Sequence, residues 1–462
     1  MLVAATGAEG GKTASAGRLS SLEALRVRAR ARVTGRLSEN DALSEGAARA
    51  LIAKARLPGL ALPSRLTALA TACRRTTSGA TREQLHHLLA PYLAGTESGV
   101  WRKERIGWDR YYGSFGGLEA ARPLSKCLVL KAPAADGEKG VFYCPFEYNL
   151  MQLVAHHDAR AILSEYFLVG EASWSPTDYA ALANCAGLSD DPIFVGVANP
   201  ADMAAYRVLD PVIRPIPLMA SDWIDPRDYT ARTVDQRDID ILMVANWSRF
   251  KRHWLLFEAL SEMPLDLRVV LVGRNAPGRS ESDIRDEAAA FGVRQAVEYY
   301  TNIPIDRVMA LQADARISLI LSHREGSCVA VPESLFAGTP VGMMEDGHVG
   351  SKSYINSRTG ILLRRPGLAR QLSAFLERSD SFAPREWADK NISCFRSAER
   401  LNDILRNHSR SAGLPWTGDA VPFCRRYVPV YANPADEVCL IPAVEALERR
   451  YGVVLEKFVY RP

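Results

Sequence analysis

The pattern of apolar and polar positions changes character along this chain. Residues 37–95 carry apolar side chains at helical spacing, as at Leu85, Leu88, Leu89 and Leu93, with breaks near Pro58 and Pro63. From about residue 127, short β-branched and aromatic runs alternate with helical stretches. Cys127 to Leu130, Val141 to Cys144, Tyr166 to Gly170, Pro192 to Val197 and Val212 to Pro215 predict strands. Leu150 to Glu165 and Pro176 to Cys185 predict helices between them. Such alternation predicts βα units on a mostly parallel sheet.

A polar, Pro-containing stretch, residues 220–238, reads as a linker, and a second alternating series follows it. Ile239 to Val244, Leu267 to Val272, Ala315 to Leu321 and Val341 to Met344 predict strands, and Leu255 to Leu260 a helical face. Two carboxylates, Glu325 and Glu333, stand with seven residues between them after the third of these strands. Gly338-Thr339-Pro340 stops the helix that carries Glu333. Lys251 lies on the loop after the first strand. Ligands bind at the carboxyl edge of open α/β sheets, where both loops fall. Taken singly, each residue has an ordinary explanation: a carboxylate complements a helix start, and most lysines are solvated. Jointly, in this frame, a ligand site is the better reading.

The stretch Glu325 to Val341, EGSCVAVPESLFAGTPV, resembles the donor-binding signature of GT-B glycosyltransferases, most closely the retaining family 4. Ser322, Glu325-Gly326, Glu333 and Gly338-Thr339-Pro340-Val341 fall on the motif. The block from Ile239 through Lys251 to Gly273 resembles the family's diphosphate-binding block, with Lys251 on the lysine position. Asn246 stands where the family has an arginine, and it lacks the charge and planar fork that pair with phosphate. Arg249 and Arg252 are the candidate substitutes. Ser327 and Cys328 replace an aromatic residue and a glycine.

The resemblance implies two Rossmann-like domains facing an interdomain cleft, preceded by a helical N-terminal extension. It gives Lys251 the donor diphosphate, Glu333 the ribose hydroxyls and Glu325 the hydroxyls of the donor sugar. Gly326, Ser327, Cys328, Val329, Asn246, Arg249 and His323 complete the expected donor site. His156 and His157 are weaker candidates for contact near the anomeric carbon. The implied reaction is glycosyl transfer from a nucleotide-diphosphate sugar to an acceptor hydroxyl, with retention, on a glycan, lipid-linked or polysaccharide precursor. No cofactor beyond that co-substrate is expected. No metal is expected either, since the sequence holds no DxD or His/Asp cluster in a suitable loop. The alternatives are a non-catalytic nucleotide-sugar-binding or scaffold protein of the same fold, kept open by Asn246 and Cys328, and a sugar-nucleotide epimerase. A phosphorylase would need a pyridoxal-binding lysine region, which is not found.

Composition limits the picture further. At 462 residues, 47% apolar and 24% charged, the chain is an ordinary globular protein of two or three domains. Its eight cysteines are scattered without a C-x-x-C pair, which favours a reducing cytoplasm over a disulfide framework or zinc cage. No apolar leader or membrane-length run occurs. No P-loop or G-x-G-x-x-G appears, which argues against kinases and dehydrogenases.

Residues 1–100 hold 14 Lys plus Arg against 7 Asp plus Glu, and Leu25 to Arg36 alone has five arginines. Peripheral contact with anionic lipid at the inner membrane face is one reading of that stretch. A solvated helical extension is favoured, because the arginines leave no clean apolar stripe. Nucleic acid is not expected, as no reading motif or aromatic residue accompanies the charge. Residues 1–22 are Gly/Ala/Ser/Thr-rich and read as disordered. His86 and His87 read as packing or surface residues, and Trp101 to Tyr112 as a domain edge. The expected division is 1–100 basic extension, 101–230 acceptor-side domain, 231–408 donor domain and 409–462 a tail that could pack back on the first domain.

Overall fold

The computed structural model describes residues 20–455 apart from 39, 113–117, 172–178, 198, 200–201 and 426–427. Most of the Gly/Ala/Ser/Thr-rich start, residues 1–19, and the first residues of the Pro176 to Cys185 helix lie outside them. The described protein is built on two large sheets covered by helices, with one small two-stranded hairpin beside the first.

The first sheet runs in plain sequential order: β1 (Leu128–Lys131), β2 (Gly140–Cys144), β3 (Tyr166–Glu171), β4 (Ile193–Gly196) and β5 (Ile213–Ile216). β1 is antiparallel to β2, and the remaining pairs are parallel. Successive strand residues point to opposite faces, and the strands are apolar on both because both faces are covered. Phe142 and Leu168 face a core built with α2 (Asp41–Ala55), α3 (Leu62–Arg75) and α4 (Gly79–Leu89). Tyr143, Phe167 and Val169 face the other way, onto the helix Cys394–Ala412 and the hairpin Phe423–Arg425/Pro429–Tyr431. The last helix, Pro434–Tyr451, adds Leu440, Ala443 and Leu447 to the first core.

This packing corrects two boundaries. Residues 41–89 are one wall of the first domain rather than an appended extension. The helix Cys394–Ala412 belongs to the first domain, although residues up to 408 were expected in the second. Its stripe Cys394, Ala398, Leu401 and Leu405 is buried against β2 and β3. The expected single helix from Leu150 to Glu165 is two, Glu147–His156 and Ala159–Glu165. Asp158 starts the second by accepting from the Ala161 N–H at 3.0 Å, a capping bond that competes with continuing the first.

The basic stretch forms α1 (Ser21–Ser38), which lies against the helix Glu281–Phe291 of the second domain. Ala31 enters that core, and Arg32 bonds Glu258 at 2.6 Å and lies over the Phe291 ring. The N-terminal helices therefore divide between the two domains. Among the described residues no helix is long and apolar enough to cross a membrane.

The second sheet is entirely parallel. Its strands are β6 (Ile239–Val244), β7 (Arg268–Gly273), β8 (Ala296–Thr301), β9 (Ala315–Ile320), β10 (Val341–Met344) and β11 (Gly360–Leu363). They lie in the order β8-β7-β6-β9-β10-β11. The chain winds outward from β6 in one direction, then returns to β9 and winds outward in the other. That reversal leaves a crevice between the loops leaving β6 and β9, the topological switch point at which doubly wound sheets bind ligands.

Candidate donor site at the switch point

The loop after β6 is held tightly over β7. Trp247 is fully buried, with its backbone N–H bonded to the Arg274 carbonyl at 2.9 Å and its indole N–H to Thr301 at 3.2 Å. Gly273 allows this approach, since a Cβ there would come within 2.6 Å of the Ala245 carbonyl oxygen and 2.8 Å of the Trp247 ring. The same loop then delivers Lys251 inward. The loop after β9 runs beside it, joined by the His323 N–H to the Phe250 carbonyl at 3.3 Å. The helix Ala330–Phe336 follows and ends at Gly338 with φ +79°, which only glycine adopts cheaply.

A cavity of about 300 Å³ opens between these loops. Lys251, Glu325, Glu333, Asn246, Ser327, Cys328 and Val329 line it, together with Arg274, Asn302 and Ile303 from the ends of β7 and β8. Lys251 Nζ lies 2.6 Å from Glu325 Oε2. Burial disfavours the lysine's charge, but the facing carboxylate outweighs it and raises the pKa, so the cation is secure at neutral pH. Glu325 Oε1 is buried with no hydrogen-bond partner among the described residues. Such an atom is costly unless something pairs with it.

Glu333 accepts from the Gln312 amide at 3.4 Å and from the Tyr229 side chain, yet burial outweighs both and pushes its pKa up to about 7. It is poised between neutral and charged forms near physiological pH. Cys328, expected in the donor site, packs into the core beneath the loop at a position where the resembled family has a glycine, and burial pushes its thiol up to about 12. Ser327 is turned to the interdomain linker. Its hydroxyl bonds the Ser221 hydroxyl and accepts from the Ser221 N–H at 2.8 Å.

The remaining expected residues sit elsewhere or act differently. Asn246 reaches the cavity wall, but its side chain accepts from the Ser248 N–H at 3.1 Å and so shapes its own loop. Arg249 is exposed, Gly326 is buried, and neither is part of the lining. Arg252 is buried and bound to Asp346 at 2.9 and 3.3 Å. The cation on the wall besides Lys251 is Arg274, directly after β7, which the motif comparison passed over. His323 turns away from the cavity toward Asp41 and His348. His156 and His157 bond the carbonyls of Leu118 and Tyr451, outside the lining. His86 is buried against Tyr179 and Tyr206, a packing residue.

Residues 228–380 match the family model of glycosyl transferases group 1, a span that contains the switch point and every residue of the cavity wall. Among solved structures the chain is similar to HepE of Anabaena in complex with UDP, at 14% identity and a TM-score of 0.46, over 57% of this chain and 78% of that one. It is similar also to the sucrose-phosphate synthase of Thermosynechococcus elongatus, at 18% identity and a TM-score of 0.46, over 58% and 73%. No curated protein matches the chain by sequence.

Proposed function

We propose that the protein transfers a glycosyl group from a nucleotide-diphosphate sugar to an acceptor hydroxyl. The observation that carries this reading is the Lys251–Glu325 pair on the wall of the switch-point cavity, with Glu325 Oε1 left unpaired. The pair is a lock that a donor opens by exchange. An arriving diphosphate takes the Lys251 ammonium, and Glu325, released, accepts hydrogen bonds from the hydroxyls of the donor sugar. Glu333, ionised on binding, accepts from the ribose diol, which offers two donors to one carboxylate.

Cleavage at the anomeric carbon builds positive charge on the sugar and negative charge on the departing diphosphate. Lys251 and Arg274 meet the second of these, in a site where fixed charges act more strongly than in water. Arg274 supplies the cation that Asn246 does not. Retention of the anomeric configuration and a glycan or lipid-linked acceptor complete the proposed reaction. With seven of the eight free cysteines buried, a cytoplasmic setting suits the protein.

The test is a thermal-shift series with UDP, GDP, ADP, CMP and their sugar conjugates on the wild-type chain and Glu333→Ala. One nucleotide should raise the melting temperature of the wild type, and the variant should lose most of that shift. No shift with any nucleotide overturns the reading. Binding without transfer or hydrolysis would select the non-catalytic alternative. Proton NMR of the product's anomeric signal then decides retention.

A further inference from the structure

Outside the cavity, three metal-binding side chains from distant parts of the chain meet at one point. Asp41 is the first residue of α2, His323 follows β9 and His348 follows β10. His323 Nε2 lies 3.4 Å from Asp41 Oδ1, and His348 Nε2 lies 2.8 Å from Asp41 Oδ2. The three ligand atoms fall within 4.8 Å of one another. The backbone fixes the two histidines side by side, since the His348 N–H donates to the His323 carbonyl at 2.6 Å.

We propose that Asp41, His323 and His348 bind a transition-metal dication of the zinc type. Two imidazoles and one carboxylate are the donor set that zinc, cobalt and nickel prefer over magnesium or calcium. A tetrahedral ion held at about 2.1 Å sets its ligand atoms about 3.4 Å apart, close to the separations found here. His323 is buried, its Nε2 meets Asp41 at a loose 3.4 Å, and its Nδ1 is buried with no hydrogen-bond partner among the described residues.

The nearby cations are committed to other groups. Arg252 holds Asp346, and Arg324 donates to the carbonyls of Arg75 and Thr76 at 3.1 and 3.0 Å. Asp41 and His348 are partly exposed, which leaves an entry path and an open coordination position. Bound there, the ion would staple α2 to the loops that frame the donor cavity. This inference does not depend on the glycosyl-transfer reading.

The test is titration of the metal-free full chain with Co2+, read by ligand-field absorption and calorimetry. One Co2+ per chain should bind with a tetrahedral-type spectrum, be displaced by Zn2+ and resist Mg2+. Asp41→Ala/His348→Ala should weaken binding at least about 100-fold, since losing even an outer-shell partner costs up to that much. Asp41→Asn, which keeps the shape of the side chain, should weaken it at least about tenfold should the double variant fail to fold. His87→Ala, at an exposed histidine elsewhere, should change nothing. Absence of a cobalt spectrum in the wild type overturns the proposal, as does unchanged affinity in Asp41→Asn.

Discussion

The two sheets are built from the same parts and differ in one respect, the order in which their strands are laid down. The first proceeds from β1 to β5 without reversing, and the second turns back at β6 and β9. The cavity of about 250 Å³ in the first domain lies where β3, β4 and β5 begin, and the ionisable groups nearby satisfy one another. Asp191 takes Lys139 at 2.5 Å and His408 at 2.9 Å, and His408 in turn meets Arg214 at 2.9 Å. At the carboxyl edge of the second sheet, Glu325 keeps an unpaired oxygen and Glu333 sits near neutrality. A closed set of ion pairs stabilises a fold, whereas an incomplete set is where a ligand is needed. Strand order thus separates a cavity whose ionisable groups are closed on one another from one whose groups are not.

That contrast can be broken most severely at Lys251. Lys251→Met should lower turnover about 100- to 1,000-fold, as the loss of one preorganised charge stabiliser does, with a smaller loss of nucleotide affinity. It should also destabilise the fold by about 3–5 kcal/mol by stranding Glu325, and adding Glu325→Gln should recover most of that. Equal losses in turnover and affinity would mean that Lys251 serves binding alone. Next in size, Leu401→Ala should cost about 2–5 kcal/mol of stability in denaturant unfolding, because it opens a cavity under the first sheet. Its nucleotide affinity should stay at the wild-type value, and a parallel fall would show that the first sheet shapes the donor site.

Glu333→Ala should weaken nucleotide-sugar binding by about 1–3 kcal/mol in calorimetry. The conservative Glu333→Gln sharpens the same point through pH. The folded protein holds this proton more tightly than the unfolded chain, so its contribution is complete below pH 4.5 and is lost as pH rises toward 7. Melting temperature between these values should fall less with pH in the variant, and identical slopes would place Glu333 in water. The smallest effect belongs to the first domain's cavity. Asp191→Asn should cost some stability and leave donor affinity unchanged.

The loops at the switch point were legible in the sequence because their logic is local: a β-branched run, a polar loop, a carboxylate, a helix and Gly338. The strands of the first sheet were legible for the same reason. The partnership of the helix Cys394–Ala412 was not, since a stripe such as Ala398, Leu401 and Leu405 reads alike whichever sheet it covers. β8, with its half-exposed AVEYYT, and β11 carry too weak an alternation to stand out. Arg274 escaped notice because only the reversal of strand order aims its loop at the cavity. The meeting of Asp41 with His348, 307 positions away, exists only in the folded chain.

The division of the N-terminal helices has a mechanical consequence. The chain passes between the domains from α1 to α2, through the linker near 219–230 and again at 392–394. The last two passages lie together, joined by the Cys394 N–H to the Ile224 carbonyl at 2.8 Å, and would by themselves act as a hinge pin. The first passage, with Asp41 seated against the donor loops, fixes the two bodies at a second place, away from that pin. A door hung at one edge swings, and one also latched at the other edge stays shut. Moving one domain against the other in this protein therefore strains the passage from α1 to α2 as well as the pin.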